Sequence, residues 1–126
     1  MVSLLLDSHA LLWALHAPEK MAPQSVEAIR DRRRPVYFSA VSVWELELKA
    51  NSGKIELPED WVSAAMDAGF LELPVKSAEA RASVRLPWHH RDPFDRLLVA
   101  QAMEHGLRIA TRDALIAQYG VAVLSV

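Results

Sequence analysis

The order of apolar runs and helical stretches in this chain predicts an α/β fold built on a mainly parallel sheet. Three observations carry the prediction. Residues 2–6 are a short apolar run closed by Asp7, the pattern of a buried parallel strand with a polar residue at its C-terminal end. Residues 8–16 follow at once as a helix that is apolar on most faces and is stopped near Pro18, which gives an opening strand-helix unit. The same order then recurs, with Val36-Tyr37-Phe38-Ser39 running directly into a helix and Leu107-Arg108-Ile109-Ala110-Thr111 leading to another.

The remaining elements fall between these. Pro23 to Arg34 carries Val26 and Ile29 at helical spacing and ends in the charged run Arg30 to Arg34, read as a solvated helix end with cations favourably placed near its C-terminus. The helix after the second strand holds Val41, Val43, Trp44, Leu46 and Leu48, and Asn51, Ser52 and Gly53 end it. Residues 59–69 are predicted helical, with Trp61, Val62, Ala65 and Met66 on one face, followed by a short strand at 70–74 and a helix from Ser77 to Val84. An irregular stretch, Leu86 to Arg91, leads into a helix from Asp92 to His105 closed by Gly106. A short helix from Ala114 to Tyr119 and a strand at 121–126 complete the chain.

Composition bounds the function. With 126 residues, 52% of them hydrophobic, and no internal repeat or linker, the chain is expected to form one domain over residues 1–126. The absence of cysteine removes disulfides, thiolate nucleophiles and cysteine-type zinc sites, so any metal must be held by oxygen or histidine. No basic segment precedes the first apolar run, and no stretch approaches the roughly 20 apolar residues needed to span a bilayer, so a soluble, cytoplasmic protein with no membrane partner is expected. A net charge of -2 and a pI near 6.2 argue against a broad basic grip on nucleic acid. They leave room for a nuclease, because a site that concentrates carboxylates is itself acidic.

The stretch Asp92-Pro93-Phe94-Asp95-Arg96 places two carboxylates one turn apart at a helix start. Asp92 suits the N-cap, Pro93 the first helical position, and Asp95 the third, where its carboxylate can bond back to the cap residue's N–H. Glu45 has a similar structural reading as the end of a capping box beginning at Ser42, and Lys49 as its i,i+4 partner. In a parallel sheet, however, functional groups collect outside the C-terminal ends of the strands. Asp7 and Asp113 follow strands directly, and Glu45 and Asp95 lie in the first turns of helices, so four acids are expected to converge there. Such crowding favours a hard divalent cation, Mg²⁺ or Mn²⁺, over other partners. Competing chemistries fit less well. His89-His90 is an adjacent pair whose side chains diverge, and His9, His16 and His105 are expected at the surface or in the core, so zinc is not expected. Four glycines assemble neither a phosphate loop nor a dinucleotide fingerprint. Asp7-Ser8-His9 lacks the second acid of a dehalogenase-type phosphatase, and Arg112 stands where a phosphoacceptor domain would want lysine.

Four segments together, Leu4 to His9, Ser39 to Leu46, Asp92 to Ala102 and Ile109 to Asp113, resemble the PIN domain, in particular the VapC toxin ribonucleases of type II toxin–antitoxin systems. The resemblance covers essentially the whole chain. It implies a three-layer α/β/α PIN-like fold with a central, mainly parallel sheet of four to five strands, and a Mg²⁺- or Mn²⁺-dependent endoribonuclease. Asp7, Glu45, Asp95 and Asp113 take the family's acidic, metal-holding positions. Asp92 is then an additional nearby carboxylate and Thr111 a supporting hydroxyl, with Arg96 and Lys49 as supporting cations. The implied partners are an RNA substrate, a cognate antitoxin whose C-terminal segment covers the site, and a second copy of the chain in a homodimer. A DNA nuclease of the same fold and a catalytically degenerate acidic binding module are the alternatives.

Overall fold

A computed structural model describes residues 2–126. In chain order the elements are β1 (Leu4–Leu6), α1 (Ser8–His16), a 3-10 turn (Pro18–Lys20), α2 (Pro23–Arg30), β2 (Val36–Ser39), α3 (Ala40–Asn51), α4 (Trp61–Asp67), β3 (Leu71–Leu73), α5 (Ser77–Arg85), α6 (Pro93–His105), β4 (Arg108–Thr111), α7 (Ala114–Ala117) and β5 (Val123–Ser125). The five strands form one sheet in the order β3-β2-β1-β4-β5, parallel throughout.

This order explains why β1 reads as an uninterrupted apolar run. It is the central strand, paired on one side with β2 and on the other with β4, and both of its faces are covered. Leu4 and Leu6 pack with Ala10, Leu11, Ile29, Trp61 and Ala65 of α1, α2 and α4, whereas Leu5 packs with Leu98, Val99 and Ala102 of α6 and Ile116 of α7. Helices therefore lie on both faces of the sheet, giving three layers. The chain builds outward from β1 through β2 to β3, then crosses back to place β4 on the other side of β1. The C-terminal ends of β1 and β4 thus meet at the switch in strand order, where α/β sheets open a crevice.

Several local expectations are corrected. The helix predicted over Pro23 to Arg34 ends at Arg30, because Asp31 leaves helical geometry and its carboxylate takes up the backbone N–H and the guanidinium of Arg33. Arg34 instead reaches back to the Ala28 carbonyl near the helix end. The capping box proposed at Ser42 does not form: α3 begins three residues earlier, capped by the Ser39 hydroxyl on the Val41 N–H, which leaves Ser42 inside the first turn with no hydrogen-bond partner. Met66 stands exposed, and only Trp61 and Ala65 of its predicted face are buried. The C-terminus of α6 is as expected, with Gly106 in the left-handed region at φ 64° and its N–H returned to the Ala102 carbonyl.

Candidate functional site

Two of the acids reach the switch-point edge as helix caps at strand ends, and two from the first turns of helices. Asp7 follows β1 and caps α1, its Oδ1 accepting the Ala10 N–H at 2.8 Å. Its Oδ2 accepts the Thr111 hydroxyl at 2.6 Å, and the same hydroxyl accepts the Asp113 N–H at 3.0 Å, so one side chain at the end of β4 ties the first acid to the last. Asp113 caps α7 through Oδ1, on the Leu115 N–H at 2.9 Å, which leaves Oδ2 free to face inward. Glu45 is buried in α3, where its Oε1 accepts the Ser8 hydroxyl at 2.6 Å and its Oε2 meets Lys49 Nζ at 3.1 Å. Ser8 is the neighbour of Asp7, so α3 is joined to the same corner.

At the start of α6, Asp92 is the N-cap, with Oδ1 accepting from the Phe94 and Asp95 N–H groups at 2.8 and 3.3 Å. The reciprocal bond expected from Asp95 is absent. The Asp92 N–H donates instead to His90 Nδ1 at 3.2 Å, and the Asp95 carboxylate turns toward His90 Nε2, 3.0 Å away. His90 Nε2 also lies 2.8 Å from Asp113 Oδ2. Among the described residues, His90, Asp95 and Asp113 are the group of three whose ligand-type atoms all lie within 4.8 Å of one another. Asp7 and Glu45 fall outside this group: Asp7 is joined to Asp113 through the Thr111 hydroxyl, and both act on Asp95 through charge.

That charge is visible in the proton affinities. The carboxyl of Asp95 is pushed up to about 7, chiefly by burial and then by Asp92, with His90 opposing and Glu45 and Asp7 adding to the rise. The carboxyl of Asp7 is also raised by burial, although the Thr111 hydroxyl, the Ala10 N–H and His9 pull it down. Buried carboxylates that raise one another's pKa values are poorly compensated by the protein itself. Their oxygens, with no cysteine thiolate in the chain, make a donor set that fits a hard divalent cation.

Arg96 plays a part different from the supporting cation expected of it. Its buried guanidinium bonds to the end of α5 and the loop before α6 and to none of the acids, donating to the carbonyls of Ser83, Leu86 and Pro87 at 2.8 to 2.9 Å and of His90 at 3.2 Å, and to the Tyr119 hydroxyl at 3.2 Å. Trp88 covers it, with the guanidinium carbon 3.8 Å from the ring centroid. The arginine thus folds the irregular stretch that delivers His90. Sequence reasoning missed His90 because the signal lies in these long-range contacts. His89 turns the other way, onto Tyr119.

With this geometry in hand, the comparison with known proteins is direct. The PIN domain family model matches residues 4–122. The chain belongs to this family. The PIN domain described here is 30% identical over 117 residues to Ribonuclease VapC22 of Mycobacterium tuberculosis, covering 90% of this chain and 88% of that protein. Solved structures with the same fold include DNA-bound VapBC from Salmonella typhimurium, with TM-score 0.70, 15% identity and coverage of 99% of this chain and 98% of that one. FitAcB from Neisseria gonorrhoeae matches with TM-score 0.61, 23% identity and coverage of 97% and 96%. Among the described residues no helix of this PIN domain is long and apolar enough to cross a membrane.

Proposed function

We propose that this chain is a single PIN domain acting as a metal-dependent endoribonuclease, the toxin of a toxin–antitoxin pair, with Asp7, Glu45, Asp95 and Asp113 holding Mg²⁺ or Mn²⁺. The observation that carries the reading is the gathering of acids at one sheet edge: Asp95 and Asp113 meet around His90, the Thr111 hydroxyl ties Asp7 to Asp113, and burial together with the neighbouring acids raises the carboxyl of Asp95, an arrangement that favours a bound cation. The 30% identity to Ribonuclease VapC22 supports the reaction class, and the fold shared with the toxin subunit of VapBC supports the partner.

When bound, the ion would lower the pKa of a water and offset charge on a phosphodiester. The chain's own residues have separable tasks. Thr111 orients Asp7 through its hydroxyl and fixes the Asp113 backbone in the same step. Ser8 and Lys49 hold Glu45 from opposite oxygens. Asp92 caps α6 through Oδ1 and adds its charge beside Asp95. Trp44 and Leu48 of α3 are 60% and 46% exposed one turn apart, an apolar face that suits a homodimer or antitoxin contact.

The test is cleavage by purified protein on RNA and on DNA, with Mg²⁺, with Mn²⁺ and with EDTA. Metal-dependent cutting of RNA alone is the expected result. Cutting of DNA alone would replace the substrate class, and binding of the ion without any cutting would identify an acidic binding module.

A further inference from the structure

The His90 ring lies between two acids that would otherwise face one another, and its distances alone, 2.8 Å to Asp113 Oδ2 and 3.0 Å to Asp95 Oδ2, would suit a metal ligand as well as a hydrogen-bond donor. The other ring nitrogen decides between these. His90 Nδ1 accepts the Asp92 N–H at 3.2 Å, and an accepting nitrogen carries no proton. In the neutral ring the proton is then on Nε2, which faces the carboxylates as a donor and has no lone pair for a cation. For Nε2 to become a ligand, the proton would have to move to Nδ1 and confront the Asp92 N–H.

We propose that His90 is a positioning residue that clasps Asp95 and Asp113 through its Nε2–H while they hold no ion, and that an entering divalent cation displaces the imidazole instead of recruiting it. The proposal rests on the ion-site reading given above. The backbone of His90 is fixed on both sides, its N–H donating to the Tyr119 hydroxyl at 3.0 Å and its carbonyl accepting from Arg96 at 3.2 Å. Rotation of the side chain is therefore the motion available to it, and the peptide stays where it is. A clasp of this kind opposes ion binding, because the hydrogen bonds from Nε2 must break before the cation takes their place.

The experiment compares Mn²⁺ affinity, read from the paramagnetic signal of free Mn²⁺, in wild type, His90→Ala and His90→Gln at a pH well above the histidine range. His90→Ala is expected to bind Mn²⁺ about tenfold tighter, since a hydrogen bond to a charged acceptor no longer has to break. His90→Gln, whose amide can donate from nearly the same place, should stay close to wild type. In ¹⁵N-labelled wild type the His90 ring should show the Nε2–H tautomer without ion and a solvent-averaged mixture of tautomers at saturating Mg²⁺. Weaker binding by His90→Ala would make His90 a ligand and overturn the proposal, as would unchanged affinity. If His90→Ala does not fold, the ring signals of wild type decide, and signals unaltered by saturating Mg²⁺ overturn the clasp. Asp95→Asn separates the two levels of inference. Lost binding in Asp95→Asn with equal affinity in wild type and His90→Ala would sink the clasp alone, whereas no Mn²⁺ binding in any of the proteins would sink the ion site and the clasp with it.

Discussion

Glu79 and Asp95 occupy the same position, the third residue of a helix, and each is touched by a histidine, yet their environments are opposite. Glu79, at the start of α5, is buried and fully engaged: Oε1 accepts the Lys76 N–H at 3.1 Å and Gln101 Nε2 at 3.3 Å, and Oε2 meets His105 Nε2 at 2.6 Å. Burial pushes its carboxyl upward, but the bonds from Lys76, His105 and Gln101 outweigh burial and hold it below the ordinary range. Asp95, at the start of α6, has lost the N–H of its own cap residue to His90, and its other neighbours are Asp92, Glu45 and Asp7, so its carboxyl rises to about 7. The same local pattern thus gives a structural clamp where donors surround the acid and an uncompensated acidic corner where other acids do.

The largest effect should come from Asp95→Asn, or Asp7→Asn. Loss of an outer partner of a metal ligand commonly costs up to about a hundredfold, so loss of the carboxylate itself should exceed that in RNA cleavage. Thermal stability of the ion-free variant should hold or rise, because repulsion is relieved as the ligand is removed. Glu79→Gln gives the opposite pattern, lowering stability by about 1 to 3 kcal/mol while cleavage per folded molecule stays unchanged. A stabilised Glu79→Gln, or an active Asp95→Asn at saturating Mg²⁺, would erase the contrast.

The second effect is a pH dependence. An unfolded aspartate titrates near about 4, and Asp95 in the ion-free fold titrates at about 7. Below the first value both states are protonated and stability is at its full value. Between the two the unfolded chain ionises while the folded one keeps its proton, so stability falls as pH rises, by at most about 4 kcal/mol, and the fall is complete above the folded value. Asp7, also raised, acts in the same direction. Denaturant unfolding of wild type against Asp95→Asn over this window isolates the contribution. Mg²⁺ should abolish the fall by favouring the ionised form, and a difference between the two proteins that does not change with pH would place Asp95 among ordinary carboxylates.

How far such contrasts could be read in the sequence depends on the range of the contacts involved. The apolar run ending at Asp7, the Asp92-Pro93 helix start and Gly106 are encoded within a few neighbouring residues, and the strand-helix order that puts Asp7 and Asp113 at one edge follows from them. Glu79 was unremarkable because its partners Gln101 and His105 lie 22 and 26 residues on. His90 escaped for the same reason: its place is set by Arg96, by Tyr119 and by Asp113, which is 23 residues away. The Ser42 box failed on local grounds, since Ser39 is an equally good cap and lies at the end of β2, where the helix must begin.

Thr111→Val comes next in size. The swap keeps shape but leaves Asp7 Oδ2 without its donor and the Asp113 N–H without its acceptor, so cleavage per folded molecule should drop by about tenfold and ion-free stability by about 1 to 3 kcal/mol. Full activity would mean that Asp7 is oriented by the Ala10 cap alone.

Glu45 stands between the two extremes and gives the smallest effect. Like Glu79 it has a hydroxyl or amide donor, here Ser8, and like Asp95 it faces other acids; its cation, Lys49, sits at 3.1 Å with a third of its side chain exposed. An i,i+4 pair of that exposure contributes little to stability, so Lys49→Met should change unfolding by no more than about 0.5 kcal/mol. Its charge nevertheless opposes an incoming cation. Removing it should raise Mn²⁺ affinity by about twofold at low ionic strength, and the gain should fade near 1 M monovalent salt, where the screening length falls to about 3 Å. Weaker ion binding in Lys49→Met would mean that the lysine orders Glu45 more than it repels the metal, which would move Glu45 to the side of Glu79 as an acid whose geometry depends on its donors.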